Sequence, residues 1–197
     1  MRKLTSLITG AALVVAGLGV GALALPGGAE QSGLRDLAGN TVVPDLPIVD
    51  DPTTVRQVGD ARLRIPSVDL DVRLGEIRTR NGVLNPPSYD GAYLVRDLGT
   101  ADGTTFVVMH SLRGGIGPGN AVIDIPGGRV ALEPGALIEV GCTTFRLTET
   151  HVVAKTELPS RADIWQDVPG RLALMTCLQN ARNTPSTANA VIIAEQL

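Results

Sequence analysis

The run AVIDIPGGRVALEPGALIEVGCTTFRLTETHVV, residues 121–153, decides the class of fold. Its apolar segments, Ala121–Ile125, Leu137–Val140 and Thr143–Val153, are short and separated by Pro126-Gly-Gly128, Glu133-Pro-Gly135 and Gly141-Cys142. Glycine takes turn conformations at no steric cost, and proline fixes φ while removing a ladder donor, so each interruption reads as a turn between strands. The same rhythm extends outward. Ala61–Ile65, Val68–Arg73, Gly91–Asp97 and Thr104–His110 precede this run, and Arg171–Thr176 and Ala190–Glu195 follow it. Helical spacing is confined to about one turn near Ala162–Val168. Hydrophobic residues make up 44% of the chain and aromatics only 3%, so the core must be built from Val, Ile, Leu and Ala, which suits strands. An all-β fold with this many short strands hides its edges best as a closed or nearly closed β-barrel.

The chain of 197 residues carries one such domain plus an appendage. Arg2 and Lys3 precede Ser6–Leu25, an uncharged apolar run long enough to cross a bilayer as a helix. Two readings stand: an uncleaved anchor, or a secretory signal cut near Ala22, Ala24 and the Leu-Pro-Gly-Gly that follows. Either one exports the remainder. The reading adopted is residues 1–25 as a signal or transmembrane anchor, 26–60 as a flexible linker rich in Gly, Pro, Asp, Ser and Thr, and 61–197 as the barrel. Asp51-Pro52 in that linker could alternatively belong to a lid over a site. A net charge of -3 with no basic stripe excludes nucleic acid as the expected partner.

Only two histidines and two cysteines occur. His110 closes the apolar run Phe106-Val-Val-Met-His110 ahead of a Gly-rich loop, so a strand fixes its position while the ring can face a cleft. Cys177 likewise closes Leu172-Ala-Leu-Met-Thr-Cys177, where a thiol can be partly exposed and its thiolate stabilised by an imidazolium. His151 sits among polar strand neighbours and reads as a surface histidine, and Cys142 as a turn residue. In an exported domain, Cys142 and Cys177 are either a structural disulfide or one reactive thiol and a bystander.

The arrangement resembles the sortase family, specifically its actinobacterial class E/F-like members. Sortases close one barrel strand with a catalytic His and a later strand with Thr-Cys, and here Val-Val-Met-His110 is followed 67 positions later by Leu-Met-Thr-Cys177. Arg64-Ile-Pro-Ser-Val-Asp-Leu-Asp-Val72, Val83-Leu-Asn-Pro-Pro87 and Glu133-Pro-Gly-Ala-Leu-Ile-Glu-Val140 resemble further family segments in family order. Met109 stands where the family usually has Gly, and Asn189 where the family has its catalytic Arg, Arg182 being the nearest arginine.

The resemblance implies a membrane-anchored extracytoplasmic cysteine transpeptidase or thiol-protease-like hydrolase without cofactor or metal. Cys177 would be the nucleophile, His110 its acid/base partner, Asn189 or Arg182 the oxyanion donor, and Thr176 and Ser111 substrate-binding residues. The implied partners are surface proteins bearing a Leu-Pro-x-Thr-Gly sorting signal, which this chain lacks, and an amine of a cell-wall precursor or pilin. A catalytically degenerate binding or scaffold module is the alternative, favoured by the missing Arg and opposed by the retained His and Thr-Cys. An L,D-transpeptidase lacks support because its His-Gly-Cys cluster is absent.

Overall fold

The computed structural model describes residues 35–40, 56–79 and 84–197; Ser6–Leu25, most of the linker with Asp51-Pro52, and Val83 lie outside the described residues. Among the described residues no helix is long and apolar enough to cross a membrane. Among the described residues, ten strands follow one another as β1 (Arg56–Ile65), β2 (Leu70–Ile77), β3 (Gly91–Val95), β4 (Thr105–Met109), β5 (Ile123–Asp124), β6 (Arg129–Val130), β7 (Leu137–Val140), β8 (Thr143–Ala154), β9 (Arg171–Leu178) and β10 (Ala188–Gln196). Eight of them close a barrel in the order β1-β2-β3-β4-β9-β10-β8-β7, with β7 returning to β1. The pairs are antiparallel except β2–β3 and β4–β9.

Local chemistry sets the turns. The β7–β8 hairpin turns on Gly141 and Cys142 between the paired Val140 and Thr143, and Gly141 takes φ +61°, a conformation glycine adopts without strain. Two sequence expectations shorten. Ala121–Ile125 is not a barrel strand: Pro118–Val122 forms a 3₁₀ turn, and only Ile123–Asp124 pairs, with β6, outside the barrel. The expected helical turn contracts to α1 (Ala162–Trp165), after which Gln166 is already extended.

The barrel sheet is apolar on both sides, which is why β9 reads as an unbroken hydrophobic run. Inside pack Leu63, Ile65, Val107, Ile138, Leu172, Leu174 and Ile192. Outside, Phe106, Val108, Ala173, Met175 and Val191 form a second cluster beneath Ile164, Trp165, Leu158 and Leu84. Burying a side chain such as Ile164 stabilises this cover by about 1.5–3 kcal/mol. Trp165 stacks on Phe106, centroids 5.8 Å apart, and its indole N–H donates to the Leu158 carbonyl at 2.6 Å. Buried Arg171 pins α1 to the barrel by donating to the Asp163, Ile164 and Gln166 carbonyls and to Thr104 Oγ1. Burial lowers the pKa of its guanidinium, and Asp163 and Asp167 act in the opposite sense. The second cluster runs along the sheet toward the ends of β4 and β9, and the candidate chemistry stands at that edge.

Candidate active site

Strand register brings three of the sequence candidates into one row. Strand β4 runs parallel to β9 with Val108 beside Met175, so two residues further along each chain His110 comes level with Cys177. Across the other edge of β9, Asn189 on β10 is the direct antiparallel partner of Cys177. Alternation then decides the face. Met175 and Ala173 point to the outer cluster, as do Val108 and Phe106 on β4 and Val191 and Ile193 on β10. Cys177, His110 and Asn189 continue those rows at even spacing and emerge on the same outer side, each half-buried. Both cysteines are free thiols, Cys142 exposed at its turn and Cys177 half-buried.

The imidazole is held from the side away from β9. His110 Nε2 lies 2.8 Å from the Pro86 carbonyl oxygen, and the Tyr89 ring tilts over it at 4.4 Å between centroids. A carbonyl only accepts, so Nε2 carries the hydrogen and, in the neutral ring, Nδ1 carries the lone pair. Tyr89 is 3% exposed, and its segment is tied down by Ser88, which donates to Asp90 at 2.5 Å and lies 2.5 Å from the Tyr93 hydroxyl. The one Ser88 hydroxyl hydrogen goes to Asp90, so the Tyr93 hydroxyl donates to Ser88, and burial raises the pKa of that phenol.

A second network fixes the backbones. Ser111 Oγ donates to the Cys177 carbonyl at 2.5 Å, and the Gln179 amide donates to the Ser111 carbonyl at 3.0 Å. The His110 carbonyl accepts from the Gly119 N–H at 2.8 Å, and Asn120 bridges Leu112 and Gly117 through its side chain. A Cβ on Gly119 would stand 2.1 Å from Thr176 Oγ1, so glycine is required for this approach.

Ser111 and Thr176, the expected substrate-binding residues, are both buried. Thr176 takes the inner alternation position, opposite Cys177, and among the described residues its hydroxyl has no hydrogen-bond partner. Arg182 lies exposed in the β9–β10 loop, where its backbone N–H and that of Thr184 both donate to the Asn180 side chain. His151 stands on β8 beside Glu149, 3.3 Å away, lining a groove of about 560 Å³ with Arg171 and Asp163; Cys177 is not among the groove's residues.

Pro86, Tyr89 and Gln179 escaped the sequence reading as functional residues. Asn85-Pro-Pro-Ser-Tyr89 ahead of β3 carried one signal, a rigid stretch ending in one of only two tyrosines. The arrangement can do covalent chemistry: a thiol, an imidazole of fixed tautomer and a side-chain amide share one half-open face.

No family model matches the sequence, and no curated protein matches it. Solved sortase structures do match. Sortase C-1 of Actinomyces oris is 19% identical over 70% of this chain and 72% of that one, with a TM-score of 0.49. Listeria monocytogenes sortase A is 18% identical over 70% and 86%, TM-score 0.48, and the Clostridium perfringens sortase D5 transpeptidase 14% identical over 71% and 79%, TM-score 0.47.

Proposed function

We propose that this chain is a sortase-like cysteine transpeptidase, exported and held at the outer face of the membrane by Ser6–Leu25. The observation that carries the reading is the register of β4, β9 and β10, which sets His110, Cys177 and Asn189 in one row on one face. In the first half-reaction the Cys177 thiolate attacks a backbone carbonyl of a sorting signal of the Leu-Pro-x-Thr-Gly kind. Its sulfur–carbon bond forms as the carbonyl π pair moves to oxygen, and the Asn189 amide donates to that oxyanion. Collapse breaks the C–N bond, His110 delivers a proton to the departing amine, and a thioacyl enzyme remains. An amine of the cell wall or of a pilin then attacks the thioester, gives its proton to His110 and regenerates the thiolate.

Asn189 supports the alternative of a degenerate binding module to one extent: it provides a neutral donor in place of a cation. A panel of fluorogenic sorting peptides, with and without an added amine, separates the two. The transpeptidase cleaves at least one peptide and forms a ligated product, whereas a module binds without turnover. Membrane tethering predicts that full-length protein fractionates with membranes; mature chains starting near Pro26 in the medium would contradict it.

A further inference from the structure

Residues 35–40 fall in the stretch read as linker, yet Asp36 is 4% exposed. A solvated linker has no need to bury a carboxylate, and burial is tolerated here because both oxygens are saturated. Oδ1 accepts from the Ala38 and Asn40 backbone N–H groups at 3.0 and 2.8 Å. Oδ2 accepts from the Asn40 side-chain amide at 3.0 Å and from the Ile116 N–H at 3.1 Å. Asn40, then the backbone donors of Asn40, Ile116 and Ala38, hold this carboxyl below the usual range against the opposing effect of burial. Leu37 N–H adds a bond to the Ile116 carbonyl at 2.9 Å. Asp36 therefore folds its own segment into a tight turn and fastens that turn to the loop that follows His110.

That loop is the mechanical link between nucleophile and acid/base. Its first residue, Ser111, holds the Cys177 carbonyl; its last turn, at Gly119, holds the His110 carbonyl; Asn120 braces it from within. Asp36 braces it from outside. On the reading of His110 and Cys177 as a catalytic pair, we propose that Asp36 is a positioning residue: the 35–40 strap fixes the His110–Asn120 loop and thereby the distance between imidazole and thiol. The strap touches neither reacting group, so its effect falls on the chemical step and not on peptide binding. A misplacement of about 1 Å in such a pair costs on the order of 10²-fold in rate.

The test uses the full-length chain with Asp36→Ala, Asp36→Asn and, as a control on an exposed residue outside the strap and the loop, Glu133→Ala. Asp36→Asn keeps the shape and one acceptor but turns an N–H toward a donor. Peptide turnover is measured together with amide hydrogen exchange of residues 111–120. The proposal expects kcat to fall about 10- to 100-fold in Asp36→Ala and less in Asp36→Asn, with KM within about twofold. Exchange should quicken in 111–120 while β8 and β10 stay protected, and Glu133→Ala should match the parent. Parent-like kcat with unchanged loop exchange in both Asp36 variants overturns the proposal. So does a fall in kcat accompanied by uniform loss of protection, which would mark Asp36 as merely structural. If the parent itself turns over no peptide, the transpeptidase reading fails, and exchange in 111–120 alone decides whether the strap holds the loop.

Discussion

Replacing Asn189 by alanine removes the one side-chain donor that the sheet sets directly opposite the Cys177 thiol. Antiparallel partners hold their Cβ atoms about 4.5–5.5 Å apart, so an amide two bonds beyond Cβ reaches an oxygen beside Sγ at ordinary donor distance. Loss of one oxyanion donor in a preorganised site costs about 10²–10³ in kcat, or about 2.7–4 kcal/mol. Asn189 is neutral and only half-buried, which favours the lower end, near 10²-fold. Asn189→Asp should cost more, since an isosteric acceptor then faces the developing negative charge. Arg182 is exposed on a loop, and Arg182→Ala should change kcat by no more than about twofold, as surface substitutions do. The assay is pre-steady-state cleavage of a fluorogenic sorting peptide, with far-ultraviolet circular dichroism confirming that each variant folds. Full turnover in Asn189→Ala, or a collapse in Arg182→Ala that Arg182→Lys also shows, would refute the assignment and make the loop guanidinium the donor.

Three further outcomes follow from the same geometry. At about pH 6, iodoacetamide should label Cys177, which strand register sets level with His110, faster than Cys142 at its exposed turn, and equal rates there would argue against the pair. Thr176→Val replaces a buried hydroxyl that has no partner among the described residues, so peptide KM should hold and thermal stability stay level or rise by about 1 kcal/mol; a large rise in KM would restore Thr176 to the substrate site. Acid should destabilise the fold. Arg161 holds Asp163 at about 2, and hydrogen bonds or arginine partners hold Asp71, Asp124 and Asp167 low, so the native state binds fewer protons than the unfolded chain between these values and the ordinary carboxylate range. Their contribution is complete above about pH 4 and is lost as pH falls through the depressed values, so the midpoint of thermal unfolding should drop between about pH 4 and pH 2; a flat midpoint there would contradict these pairings.

The strands were legible because glycine and proline interrupt apolar runs at every turn, and Thr143–Val153 and Arg171–Thr176 lie inside β8 and β9. His110 and Cys177 were legible as strand ends. Their closeness was not. It depends on β4 lying parallel beside β9, a pairing between segments far apart in sequence that barrel closure imposes and no local pattern encodes. The side on which Thr176 and Cys177 point was equally hidden, since β9 is covered on both faces and so shows no polar alternation. Ala121–Ile125 misled because it is apolar, whereas Pro118 and the Asn120 side chain bend the backbone there into a 3₁₀ turn. Asp36 and Asn40 gave only a loop signature, because what makes the carboxylate informative is the distant Ile116 amide.

Intact-mass analysis of the full-length protein after seconds of mixing with a sorting peptide, followed by peptide mapping, tests the central claim most directly. The account predicts a covalent adduct equal to the N-terminal peptide fragment, mapped to Cys177, cleared by hydroxylamine or an added amine and absent in Cys177→Ala. An adduct on Cys142, a Cys142–Cys177 disulfide in freshly isolated protein, or cleavage that survives Cys177→Ala would contradict it.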